Sequence, residues 1–143
     1  MRHGVPDRHG VPERDGAHER DGAQERARDL LVRALALAER AGRTETVTLA
    51  HQHLTHHLLA VGAPAEAAAH AARGLALAAP PLAAPRRVVL RTLYGQALAT
   101  TGRTGEAVRQ LGDALREARA HDYEEGEKAA REALAALGVL TDR

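Results

Sequence analysis

A helical signature returns every 40 residues along this chain. Ala27, Leu31, Ala34 and Leu35 set a small-large-small-large pattern at offsets 0, 4, 7 and 8. Ala67, Ala71, Gly74 and Leu75 repeat the offsets, and so do Ala107, Leu111, Ala114 and Leu115. These offsets fall on one face of an α-helix, so a single helix type with one packing role occurs three times. Self-similarity at this period marks a repeat architecture, in which each unit buries its apolar face against its neighbours.

Glycines and prolines divide the chain into six helices. The first runs from Gln24 to about Ala41 before Gly42, and the second from Thr44 to Val61 before Gly62. Thr44 is placed to cap the second, with Glu45 favourable in its first turn. Pro64 suits the first turn of a third helix, which ends at Ala79. A stiff Pro80–Pro85 loop leads to a fourth helix reaching Thr101, then Gly102. Thr104 caps a fifth helix to Ala120, and a sixth spans Tyr123 to Leu137.

Residues 1–23 follow a shorter period: Arg2-His3-Gly4-Val5-Pro6-Asp7 is copied as Arg8-His9-Gly10-Val11-Pro12-Glu13, with two looser copies after it. Such hexads bury too little surface to offset the entropy of ordering, so a disordered tail is expected there. It reads either as a tether or as a duplicated stretch without function. The helical domain is expected over 24–143.

Composition removes several functions. Cys, Ser, Asn, Ile, Phe and Trp are absent, and Lys128 is the only lysine against nineteen arginines. That bias fits a GC-rich genome. Without Ser or Cys the usual acyl-transfer nucleophiles are missing, and thiolate metal sites are excluded. A formal net charge of +1 argues against a general polyanion binder. No apolar segment suggests a signal peptide or membrane span. A non-enzymatic, cytoplasmic protein without a cofactor is expected.

The pairing of helices resembles the tetratricopeptide repeat. Tyr94, Gly95, Leu98, Gly102, Ala107, Leu111 and Ala114 fill its small and large positions, while the preceding unit keeps Leu54, Leu58, Gly62, Ala67 and Gly74. In that unit Thr55 stands for the small Gly and Ala71 for the large residue. The Arg/Ala/Leu-rich wording is similar to arrays in actinobacterial transcriptional regulators. The resemblance implies an all-α, right-handed α-solenoid of antiparallel helix pairs, two complete repeats flanked by two half-repeats.

By that resemblance the first helix of each pair lines a concave groove for a protein or peptide segment. Gln52, His53, His56 and Leu59 would line it from the second helix, Val89, Thr92, Gln96 and Ala99 from the fourth, and Lys128 and Glu132 from the sixth. A regulatory or sensory array binding a peptide or small molecule, and an accessory protein of a biosynthetic pathway, are the alternatives. Independently, His53, His56 and His57 have the spacing of paired metal ligands, with His70 or Glu66 as a third. The rival reading is a set of polar surface histidines that makes binding pH-sensitive. Arg86, Arg87 and Arg91 form a basic cluster that suits an acidic peptide or phosphate. Without stacking aromatics, nucleic acid is not expected. Tyr94 is assigned to the core and Tyr123 to a contact surface. Uncovered apolar residues around Leu30, Leu31 and Leu35 predict a homodimer, end to end or by exchange of terminal helices.

Overall fold

The computed structural model describes residues 4–79 and 84–141, with side chains at 16, 18–79 and 84–141. It is all-α, with six helices and no strand among the described residues. They are α1 (Gly4–Ala41), α2 (Thr44–Ala60), α3 (Pro64–Leu77), α4 (Ala84–Thr100), α5 (Thr104–Ala120) and α6 (Glu124–Ala136). Most of the Pro80–Pro85 loop lies outside the described residues.

One turn design ends most of these helices. The residues at 42, 62, 102 and 122, spaced in multiples of 20, all have φ between 52° and 85°. Three are glycines, which enter this region without a Cβ clash; Asp122 takes it at the fourth position. The following amide then reaches back five residues: Arg103 N to Leu98 O at 2.9 Å, and Tyr123 N to Ala118 O at 2.8 Å. That bond satisfies a carbonyl the helix end would leave orphaned. The starts differ from the sequence expectation. Thr44 and Thr104 are the first helical residues, the cap positions belong to Arg43 and Arg103, and neither cap makes a side-chain hydrogen bond.

The expected start near Gln24 and the tail boundary at 23 also differ from the backbone, which continues α1 through the hexads from Gly4. An isolated helix makes its own i to i−4 bonds and needs no core for them. No described side chain before Leu35 is buried.

Neighbours follow chain order. Each helix packs on the next, α2 also meets α4, and α4 meets α6. No backbone proximity joins α1 to α3, α3 to α5 or α1 to α6. The even-numbered helices thus form one row, with α4 central to it. Leu90, Leu98, Val88 and Ala97 of α4 are fully buried. Small residues set the helix spacing: Ala67, Ala71, Ala107, Ala114, Ala118 and Ala130 are all at 0% exposure. At Gly95 the approach of α5 is close, since a Cβ there would lie 2.6 Å from Leu111 Cγ. Buried hydroxyls turn back on their own helix, Thr55 Oγ1 donating to His51 O at 2.7 Å and Thr92 Oγ1 to Val88 O at 2.8 Å.

Candidate functional site

The row of even-numbered helices encloses a pocket of about 320 Å³. His56 comes from α2, Val88, Val89, Thr92, Leu93 and Gln96 from α4, and Glu125, Gly126 and Ala129 from α6, with Tyr123 just before it. Valine, leucine and alanine supply an apolar floor, and His56, Gln96, Glu125 and Tyr123 supply polar edges. Such a site suits one apolar side chain of a ligand, oriented by a few hydrogen bonds.

Gly126 creates this geometry. A Cβ there would sit 2.4 Å from Tyr123 Cδ2 and 2.7 Å from Val88 Cγ1. Its absence lets the first turn of α6 press against α4 and lays the Tyr123 ring along the opening. Tyr123 is half-buried, in keeping with a contact role; Tyr94 is half-buried too, less enclosed than the core position expected.

Of the ten groove residues read from sequence, His56, Val89, Thr92 and Gln96 meet here. The other six do not. Ala99 is half-buried outside the pocket lining. Leu59 packs against Leu58, Ala67 and Ala97, where it extends the core. Gln52 is half-buried and His53 exposed, both outside the pocket lining. Lys128 and Glu132 lie around a separate depression with Arg131 and Ala135. Glu125, Gly126 and Ala129 line the pocket from that helix instead. The solitary glycine in the Glu/Ala/Lys-rich sixth helix was the available sign of its close approach to α4.

The proposed metal ligands diverge. His56 turns to the pocket on α4, whereas His57 lies beside Asp21, Gln24 and Arg28 of α1. No group of three or more His, Cys, Asp or Glu side chains that could hold a metal ion occurs among the described residues. His70, the suggested third ligand, instead faces His51: their Nδ1 atoms are 3.1 Å apart and their ring centroids 5.2 Å. One ring must donate and the other accept, so at least one is neutral. Burial holds both imidazoles below the ordinary histidine range. His70 and then Arg73 add to the effect at His51, against Glu39. At His70 the additional contributions come from Arg73 and Arg28, against Glu66.

The arginine cluster is partly consumed by the fold. Arg87, 8% exposed, forms an ion pair with Glu117, and Arg91 Nη1 donates to Gln110 Oε1 at 3.0 Å. Burial, and then the neighbouring Arg91, lowers the Arg87 pKa. Arg86 Nη1, Arg87 Nη1 and Arg91 Nε are nevertheless buried with no hydrogen-bond partner among the described residues.

No helix among the described residues is long and apolar enough to cross a membrane. Comparison with known proteins finds no matching family, curated protein or solved structure.

Proposed function

We propose that the chain is a non-catalytic interaction module of the tetratricopeptide-like kind. In this reading the helix row is the inner wall of a right-handed α-solenoid, and a segment of a partner protein docks on it. The carrying observation is the pocket assembled from α2, α4 and α6, with an apolar floor and polar edges. Preformed helices present it without an ordering cost, so one anchored side chain adds affinity directly. A cytoplasmic setting, with a regulatory or an accessory biosynthetic role, follows from the same reading.

A displayed random-peptide library selected on the full chain tests the proposal. Enriched peptides should share one apolar anchor and lose binding to Val89→Arg and to Gln96→Arg. No enrichment, or equal binding by both variants, would reject the groove.

A second reading is favoured by the three orphaned guanidinium nitrogens at the start of α4, which suit an anionic group on the ligand. Titration with an acidic peptide should then show an affinity that falls with salt and is lost in Arg86→Gln/Arg91→Gln. Salt-independent binding would dismiss it.

A further inference from the structure

The described residues leave two faces uncovered, one on α1 and one on α6. On α1, Leu30 and Leu37 are 64% and 61% exposed, and Ala34 between them is exposed as well. At the other end, a depression of about 380 Å³ lies between Lys128, Arg131, Glu132 and Ala135 of α6 and the returning Val139 and Leu140.

The 40-residue translation says what each face is built to meet. Leu30, Ala34 and Leu37 correspond to His70, Gly74 and Leu77 of α3. There, His70 and Gly74 hold α2: His70 pairs with His51, and a Cβ on Gly74 would lie 3.1 Å from His51 Cβ. Arg131 and Ala135 correspond in turn to Arg91 and Gly95 of α4. Those two residues hold α5, Arg91 by its bond to Gln110 and Gly95 by receiving Leu111. So, among the described residues, α1 is a helix of the α3 and α5 kind with no preceding partner, and α6 is one of the α2 and α4 kind with no following partner. Their open faces are the two halves of a junction that the chain already makes twice within itself, between α2 and α3 and between α4 and α5.

We infer that the occupant of each face is a second copy of this chain, docked head to tail with α1 of one copy on α6 of the next. Leu31 of the incoming α1 seats over Ala135, as Leu111 seats over Gly95. Ala135 carries the Cβ that Gly95 lacks, so the helices stand further apart and the junction is weaker than the internal ones. The two faces differ, so the contact is heterologous, and copies add in a row unless the rotation closes a ring. This inference stands apart from the pocket on α2, α4 and α6, because none of its residues line that pocket.

Sedimentation velocity on the full chain over a range of concentrations tests it. The average mass of the unaltered chain should rise with concentration beyond that of a dimer. Leu37→Glu blocks the α1 face, because it stands opposite Glu127 of α6 in this register, and Ala135→Arg blocks the α6 face; both sites are exposed, and an unchanged melting curve verifies folding. Each variant alone should associate at least about ten-fold more weakly. An equimolar mixture should form a 1:1 dimer that grows no further, because each variant retains the face the other lacks. A strictly monomeric unaltered chain, or a mixture that stays monomeric, would overturn the inference. So would Ala135→Arg associating as strongly as the unaltered chain, which would indicate an α1-to-α1 contact. If Leu37→Glu fails to fold, Leu30→Arg, which stands opposite Arg131, serves in its place.

Discussion

The α2–α3 pair and the α4–α5 pair solve the same packing problem with opposite residues. In the second pair the small residue is on the first helix and the large one on its partner: Gly95 receives Leu111. In the first pair the sizes are exchanged. Thr55 stands where Gly95 stands, Ala71 where Leu111 stands, and both are at 0% exposure. The polar pair beside each contact is likewise replaced, His51–His70 in one unit and Arg91–Gln110 in the other. Even the flanking position switches character: Val47 joins an apolar cluster with Leu35 and Ala38, while its counterpart Arg87 is buried on Glu117. The two helix pairs therefore fill each contact with different chemistry.

The largest expected effect tests that last difference. Glu117→Ala leaves the Arg87 guanidinium buried without its counter-ion, and should destabilise by about 3–5 kcal/mol. Arg87→Val with Glu117→Leu, which gives the second unit the character of the first, should be neutral or stabilising by about 1–4 kcal/mol. Urea denaturation reads both. A mild Glu117→Ala would mean that Arg87 finds water in solution.

The size exchange comes next. Leu111→Ala should cost about 2–5 kcal/mol through the cavity it opens. Gly95→Thr alone should cost about 1–3 kcal/mol, because its Cβ lands on the Leu111 branch point. Combined, they recreate the Thr55–Ala71 arrangement, so the pair should cost less than the sum by about 0.5–3 kcal/mol. Strict additivity in a double-mutant cycle would show that the two solutions are not interchangeable.

The polar pairs should separate by pH. His51 and His70 sit below the ordinary histidine range in the folded chain, so the unfolded chain takes up protons first as the solution acidifies. Stability is then fully present above about pH 6.5 and declines as pH falls below it. Loss of the single hydrogen bond between them accounts for about 1 kcal/mol. His51→Arg with His70→Gln installs the other unit's pair, and should flatten the profile between pH 7 and pH 5. An unchanged slope would assign it to other groups.

The smallest effect lies at the caps. Arg43→Ser supplies the oxygen acceptor that α2 lacks and should add about 0.5 kcal/mol. The same change at Arg103 should add less, because Arg103 already bonds Glu106 through Nε at 2.8 Å. Thermal melts of the two variants compare them directly.

Much of the architecture was legible because it depends on local rules. The left-handed glycines at 42, 62 and 102 mark helix ends whatever surrounds them. The buried positions of α3 and α5 follow the 40-residue signature, down to Ala67, Ala71, Ala107 and Ala114. Of the three leucines expected to be uncovered on α1, Leu30 is exposed, but Leu31 is half-buried and Leu35 is buried against α2; Leu37 is exposed as well. The capping threonines were displaced by one residue, since helix starts here rest on backbone geometry without a side-chain acceptor.

The candidate site was only half legible. His56, Val89, Thr92 and Gln96 converge because α2 and α4 repeat the same face at a fixed translation. Glu125 and Ala129 replace Lys128 and Glu132 because the pocket is bordered by the first turns of α6, where Gly126 lets Tyr123 and Val88 approach. The order, ends and buried stripes of the helices were thus written in the chain itself, through backbone stereochemistry and periodicity that act over a few residues. Which side chains share a pocket, and that His51 spends its hydrogen bond on His70, depended on how far each helix rotates and how closely it approaches. Those quantities arise only when side chains of distant segments are packed to the density of a protein interior.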